Sequence, residues 1–176
     1  MFKQIVFGIL FLAVFAATLG AQEKRKSPHD TISATLGGKQ ITISYGRPYL
    51  KGRKAVGGTL VPYGEVWRTG ADEATKLTTE ADLMIGSVRV PKGSYALFTL
   101  PEKQGWTLIV NKKADQWGAF DYKQSDDLGR TPMTVTHIDA PVEEFTMALQ
   151  SKGEGSVLLT LQWENTAASV PISLAK

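Results

Sequence analysis

The chain has 176 residues, 43% apolar and 21% charged, with 17 glycines, 8 prolines and no cysteine. That suits one globular domain with a real core and excludes a disordered chain, a collagen-like repeat and a multidomain enzyme. Twenty basic against 17 acidic side chains leave +3, too weak a field for a dedicated nucleic-acid binder. The lack of cysteine removes disulfide frameworks, thiolate zinc sites, thiol nucleophiles and lipid attachment through an N-terminal Cys.

Met1-Phe2-Lys3 is a short positive start, followed by the apolar run Ile5 to Leu19 and the small residues Gly20-Ala21. This order predicts a secretory signal peptide over 1–21, cleaved after Ala21. The run is about fifteen residues, short of the roughly 20 that span a bilayer, so no transmembrane segment is expected after cleavage. Localisation is then periplasmic or extracellular. Residues 22–30, with Lys24-Arg25-Lys26 and Ser27-Pro28, read as a flexible solvated leader.

From 31 to 176 the pattern is strands. Ile32, Ala34 and Leu36 alternate with polar residues, as do Ile41, Ile43 and Tyr45, and Gly37-Gly38 between them suits a tight hairpin turn. Leu83 to Val90 bends at Gly86-Ser87, and Pro91-Lys92-Gly93 turns into Ser94–Leu100, which is apolar on both faces and therefore central. Trp106, Leu108 and Val110 follow, then Met133, Val135 and His137, then Phe145, Met147 and Leu149. The series ends with Val157, Leu159, Leu161 and Trp163, and with Val170, Ile172 and Leu174. No dozen-residue window carries a capped 3.6-residue stripe. The fold expected is all-β: a single antiparallel β-sandwich or jelly-roll-like domain. Two stretches, 46–70 and 112–132, lack alternation and read as long loops, the usual carriers of function.

The first loop and its exit hold Arg47, Arg53 and Arg68, Tyr63 and Trp67, and the carboxylates Glu65, Asp72 and Glu73. Guanidinium forks match carboxylate or phosphate oxygens, and aromatic faces stack on sugars, so a binding cleft is chemically reasonable. The same residues could instead pair among themselves, Arg47, Arg53 and Arg68 with Glu65, Asp72 and Glu73, and merely lock the loop over the sheet. In the second loop Trp117, Phe120 and Tyr122 either plug the open end of a sandwich or form a stacking platform, and plugging is the commoner arrangement. Asp126-Asp127 lacks the spaced acidic pattern of a calcium loop. No metal and no cofactor are expected.

Enzyme signatures are thin. Of the two histidines, His29 falls in the leader, and His137 is in phase with Met133 and Val135, as an inward or edge residue. There is no Gly-x-Ser-x-Gly elbow, Walker loop, dinucleotide fingerprint or His-Glu-x-x-His. Glu73 with Asp72 or Glu65 remains as a carboxylate pair for hydrolysis.

The runs Tyr45-Gly46-Arg47-Pro48, Val61-Pro62-Tyr63-Gly64, Trp67-Arg68-Thr69-Gly70-Ala71, Glu73-Ala74-Thr75, Gly93-Ser94-Tyr95-Ala96-Leu97-Phe98, Gln116-Trp117-Gly118 and Asp127-Leu128-Gly129-Arg130 resemble the secreted bacterial domain-of-unknown-function 2911 family. The resemblance covers nearly everything from Ser27 onward. Asp72 departs from the family's usual Asn and adds a negative charge beside Arg68. The resemblance implies export, a β-rich domain and a bacterial envelope setting, and brings no established reaction.

The first functional expectation is a non-catalytic exported module for a polar or anionic envelope ligand, a saccharide or peptide carboxylate. Arg47, Arg53 and Arg68 would hold oxygens, Tyr63, Trp67 and Trp117 would pack apolar faces, and Glu73 would orient an arginine. The alternatives are a carboxylate-dependent hydrolase of envelope glycans or peptides, and a structural or partner-binding domain.

Overall fold

A computed structural model describes residues 26–153 and 155–176; the expected signal peptide 1–21 and residues 22–25 of the expected leader lie outside the described residues. The strands are β1 (His29–Leu36), β2 (Lys39–Gly46), β3 (Thr75–Thr79), β4 (Leu83–Ile85), β5 (Val88–Val90), β6 (Gly93–Glu102), β7 (Gly105–Asn111), β8 (Asp127–Ser151) and β9 (Ser156–Leu174). They form one antiparallel sheet in the order β1-β2-β3-β6-β7-β8-β9-β4-β5. The only helical element among the described residues is a 3-10 turn, Gln124–Asp126. The fold is all-β.

The local rules hold well at the first hairpin. Leu36 pairs with Lys39, leaving Gly37-Gly38 as a two-residue turn, and both glycines have positive φ (53° and 77°), which a side chain would resist. Ile41, Ile43 and Tyr45 then face inward together. β6 sits between β3 and β7, and Tyr95 to Phe98 are all buried, because both faces of this strand are covered. Tyr95 and Leu97 join the main core, while Ala96 and Phe98 pack with Ala74 and Ile109 in a smaller cluster.

β8 closes the structure. Its first residues, Asp127 to Met133, pair with β7, and the strand then continues against β9 through register shifts between His137 and Val142 and between Val142 and Thr146. Phe145, Met147, Leu159 and Leu161 thereby share one core with Ile43, Tyr45 and Leu77. At its centre Trp67 stacks on Trp163 (centroids 5.8 Å apart, planes 16° apart) and meets Phe145 and Trp106 edge-on. The Met147 N–H donates to the Tyr45 hydroxyl at 2.9 Å, joining β2 and β8, which are not neighbours in the sheet, across the core.

Several expectations need correction. The second loop ends at 126 rather than 132, because Asp127–Met133 belongs to the ladder. Gly129 there is no turn residue: a Cβ on it would come within 2.8 Å of Val88, so glycine permits close packing. β3 carries one aliphatic residue and went unread as a strand, yet Thr75, Leu77 and Thr79 are all buried on alternate positions. The leader's last residues, His29 and Asp30, open β1. His137 is exposed rather than inward, as are its neighbours Val135 and Thr136.

Candidate functional site

The segment Trp67 to Thr75 is fastened to the sheet residue by residue. Trp67 and Thr99 exchange backbone bonds (2.8 and 2.9 Å), which drives the Trp67 indole into the core, where its Nε1 donates to the Gly70 carbonyl at 3.2 Å. The Thr69 hydroxyl donates to the Trp67 carbonyl, and the Thr75 hydroxyl to the Thr69 carbonyl. Ala71 N–H bonds the Gly46 carbonyl, and the approach is so close that a Cβ on Gly46 would lie 2.2 Å from the Ala71 oxygen. Thr69 and Asp72 adopt left-handed backbone, φ 58° and 63°, so the chain reverses twice in this short stretch. In an extended stretch neighbours point oppositely, so an inward Trp67 turns Arg68 away from the main core.

The second loop docks on this segment. Ala74 N–H bonds the Gln116 carbonyl and Gly118 N–H bonds the Asp72 carbonyl, both at 3.0 Å, with Glu73 and Trp117 paired between them. The loop is set from behind by an amide relay. Asp127 accepts from Tyr122, from Arg130 Nε (2.9 Å) and from Asn111 Nδ2 (3.0 Å). A carboxylate can only accept, so Asn111 must present its amide nitrogen to Asp127 and its oxygen to Gln116, whose Nε2 donates at 3.1 Å. Burial, then the Asp127 hydrogen bond and charge, pushes the Tyr122 phenol up to about 12. The Gln116-Trp117-Gly118 and Asp127-Leu128-Gly129-Arg130 motifs are thus the two ends of one brace.

Two hollows flank this construction. The first, about 310 Å³, is lined by His29, Tyr45, Glu73, Lys76, Gln116 and Trp117, among others. The second, about 400 Å³, is lined by Lys26, Tyr49, Lys51, Arg53, Arg68 and Asp72, among others. Between them, His29 Nε2 donates to Asp72 at 3.0 Å and lies 3.6 Å from Glu73 Oε2. The hollows are neighbours: a Cβ on Gly118, the residue after Trp117, would sit 3.4 Å from Arg68 Nη1.

The three arginines have three different fates. Arg47 is structural: it pairs with Glu144 at 3.1 Å and donates to Thr146 Oγ1 and the Phe145 carbonyl. Arg53 lines the second hollow but spends Nε and Nη2 on the Leu50 and Tyr49 carbonyls. Arg68 makes no side-chain hydrogen bond or ion pair among the described residues, and its Nε is buried without a partner. The expected pairing of Arg47, Arg53 and Arg68 with Glu65, Asp72 and Glu73 is not what forms, since Arg47 reaches β8 and Asp72 is taken by His29.

Of the other expected site residues, Trp117 and Glu73 line the first hollow. Trp67 does not belong to either: it is 7% exposed and part of the core stack. Tyr63 and Glu65 are on the surface and line neither hollow, Tyr63 lying over Gly57. The expected aromatic plug is only Tyr122, packed edge-on against Phe98; Trp117 (55% exposed) and Phe120 (83%) stand in solvent. His29, Tyr49, Lys51 and Lys76 were missed. His29 could have been found by extending the strand that carries Ile32-Ala34-Leu36 back three residues from Ile32. No group of three or more His, Cys, Asp or Glu side chains is placed to hold a metal among the described residues, and no described helix is long and apolar enough to cross a membrane.

Neither the curated proteins nor the solved structures yield a match to this chain. A family model does match over residues 27–172, its description being a protein of unknown function, DUF2911. That span takes in the lining of the first hollow, all of the second hollow's lining but Lys26, and every strand but the last two residues of β9. The chain belongs to the DUF2911 family.

Proposed function

We propose that this protein is an exported, non-catalytic binding module that takes a carboxylate- or phosphate-bearing envelope ligand in the hollow beside Arg68. The observation that carries this reading is the Arg68 guanidinium, which has no carboxylate partner among the described residues and lines a cavity shared with Lys26, Lys51 and Arg53. The one carboxylate among the described residues of that lining, Asp72, is bonded to His29. A guanidinium held at a cavity wall without a side-chain partner among the described residues suits an anion's oxygens, and the neighbouring ammonium groups raise the local anion concentration. On this reading the folded-back sheet serves as a sandwich or jelly-roll-like scaffold, with the ligand at the loop end. Export rests on the charged, apolar and small-residue order of residues 1–21.

A thermal-shift titration with inorganic phosphate and acetate at low ionic strength tests the site, since a ligand of the folded state raises the midpoint by mass action. The midpoint should rise in the wild type, rise far less in Arg68→Met, and the effect should fade with added salt. No rise for any anion rejects the reading. Mass spectrometry of the envelope-associated protein tests export by looking for a chain starting at Gln22.

A hydrolase is the second reading, favoured by His29 lying against both Asp72 and Glu73 at the junction of the hollows. Glu65 is exposed and lines neither hollow. Glu73→Gln should then abolish turnover of envelope glycans while leaving the anion-induced thermal shift unchanged.

A further inference from the structure

We propose that the ligand is an acidic saccharide, whose sugar ring stacks on Trp117 in the first hollow while its carboxylate reaches Arg68 in the second. This rests on the anion-binding reading above and adds to it a ligand class and a second contact surface.

Trp117 is the anomaly that points there. The other three tryptophans are buried, with Trp106 and Trp163 each in ring contact with Trp67. Trp117 is 55% exposed, with no ring contact and no indole hydrogen bond among the described residues. Yet its backbone is held as firmly as a strand's, between the Ala74–Gln116 and Gly118–Asp72 bonds and over the Asn111–Gln116 relay. An exposed indole on a pinned backbone is a preorganised flat surface, which lowers the ordering cost of binding.

The surroundings choose among ligands. The first hollow combines the apolar walls of Tyr45, Ala74 and Trp117 with the Glu73 carboxylate and the Lys76–Asp115 pair (2.8 Å) at its rim. Apolar faces beside carboxylate acceptors match a sugar ring, whose C–H face covers an indole while its hydroxyls donate outward. A peptide fits less well. A peptide that adds as a strand needs unpaired backbone groups, and here Ala74 N–H, Gly118 N–H and the Gln116 and Asp72 carbonyls already bond one another. The proximity of Gly118 to Arg68 Nη1 sets the aromatic wall of one hollow next to the cationic wall of the other, within the span of one ligand of mixed chemistry.

The experiment is calorimetric titration of the mature chain with trigalacturonate, with its neutral counterpart in which each carboxylate is reduced to a hydroxymethyl group, with acetate, and with a short N-acetylated peptide bearing a free carboxyl terminus. Trigalacturonate should bind at least about tenfold tighter than acetate or the neutral sugar, equivalent to about 1.4 kcal/mol. Trp117→Ala should weaken trigalacturonate by about tenfold and leave acetate unchanged. Arg68→Met should bring trigalacturonate down to the neutral sugar. Tryptophan emission should shift to shorter wavelength with trigalacturonate in the wild type and not in Trp117→Ala. If acetate binds through Arg68 but Trp117→Ala leaves trigalacturonate untouched, or the peptide binds tighter, the saccharide assignment falls and the anion site stands. If none of the four ligands binds, the anion site falls and takes the saccharide with it.

Discussion

Replacing Arg47 and Arg68 one at a time by methionine should give stability changes of different size and sign, although both lie in the same loop region. Methionine keeps much of the aliphatic stem, so packing is disturbed little in either case. Arg47 loses two hydrogen bonds, to the Phe145 carbonyl at 3.2 Å and Thr146 Oγ1 at 3.0 Å, and its pair with Glu144. Hydrogen bonds from a charged donor contribute about 1.5–3 kcal/mol each when buried, but Arg47 is partly open to water and exposed pairs contribute about 0–1. A loss of about 2–3 kcal/mol follows. At about 2–4 °C per kcal/mol for a chain this long, the midpoint should fall by about 4–12 °C. Arg68 has no such bond to lose, and its replacement removes a buried, unpartnered Nε whose desolvation costs about 1 kcal/mol. Its midpoint should stay level or rise by about 2–4 °C. Differential scanning calorimetry in ligand-free buffer reads both. An Arg68→Met midpoint as depressed as that of Arg47→Met would mean that Arg68 is a structural brace, and the anion site would lose its foundation.

Three further outcomes follow from the same contacts. Tyr45→Phe strands the buried Met147 N–H and should cost about 1–3 kcal/mol in urea unfolding with an unchanged m-value. Gly46→Ala drives a Cβ to 2.2 Å from the Ala71 oxygen, which is backbone and cannot swing aside; it should destabilise by about 3 kcal/mol or more and abolish anion binding, read by the same two titrations. Ultraviolet titration should show one phenol ionising near 12 that is missing in Tyr122→Phe. Because the folded pKa is raised, Tyr122's contribution to stability is complete below about pH 10 and disappears as pH climbs toward 12.

The strands that could be read from the chain were those whose inward residues are aliphatic or aromatic. Ile41-Ile43-Tyr45 and Val157-Leu159-Leu161-Trp163 announce their faces because burial of apolar surface sets their phase. β3 did not, because its inward positions Thr75 and Thr79 present hydroxyls that satisfy themselves locally: Thr75 bonds the Thr69 carbonyl and Thr79 the Ala81 carbonyl. Asp127–Met133 was hidden for the opposite reason. Gly129 and Pro132 are turn residues by habit, and only the neighbouring Val88 and the β7 register make them strand. In the same way the three arginines look alike in the chain, since guanidinium chemistry does not say who will stand opposite.

By itself the sequence determined the all-β class, the Gly37-Gly38 hairpin, the central place of β6 and the concentration of Arg, Trp and carboxylate residues in two irregular stretches, all of which depend on near neighbours and on period. Which arginine is paired, which tryptophan is buried and where His29 lies depended on contacts between residues tens of positions apart: Arg47 with Glu144, Trp67 with Trp163, His29 with Asp72. The first two need β8 and β9 packed in one core with the residues of β2 and Trp67, and the third needs the start of β1 paired with the end of β2, so none exists until distant segments have come together.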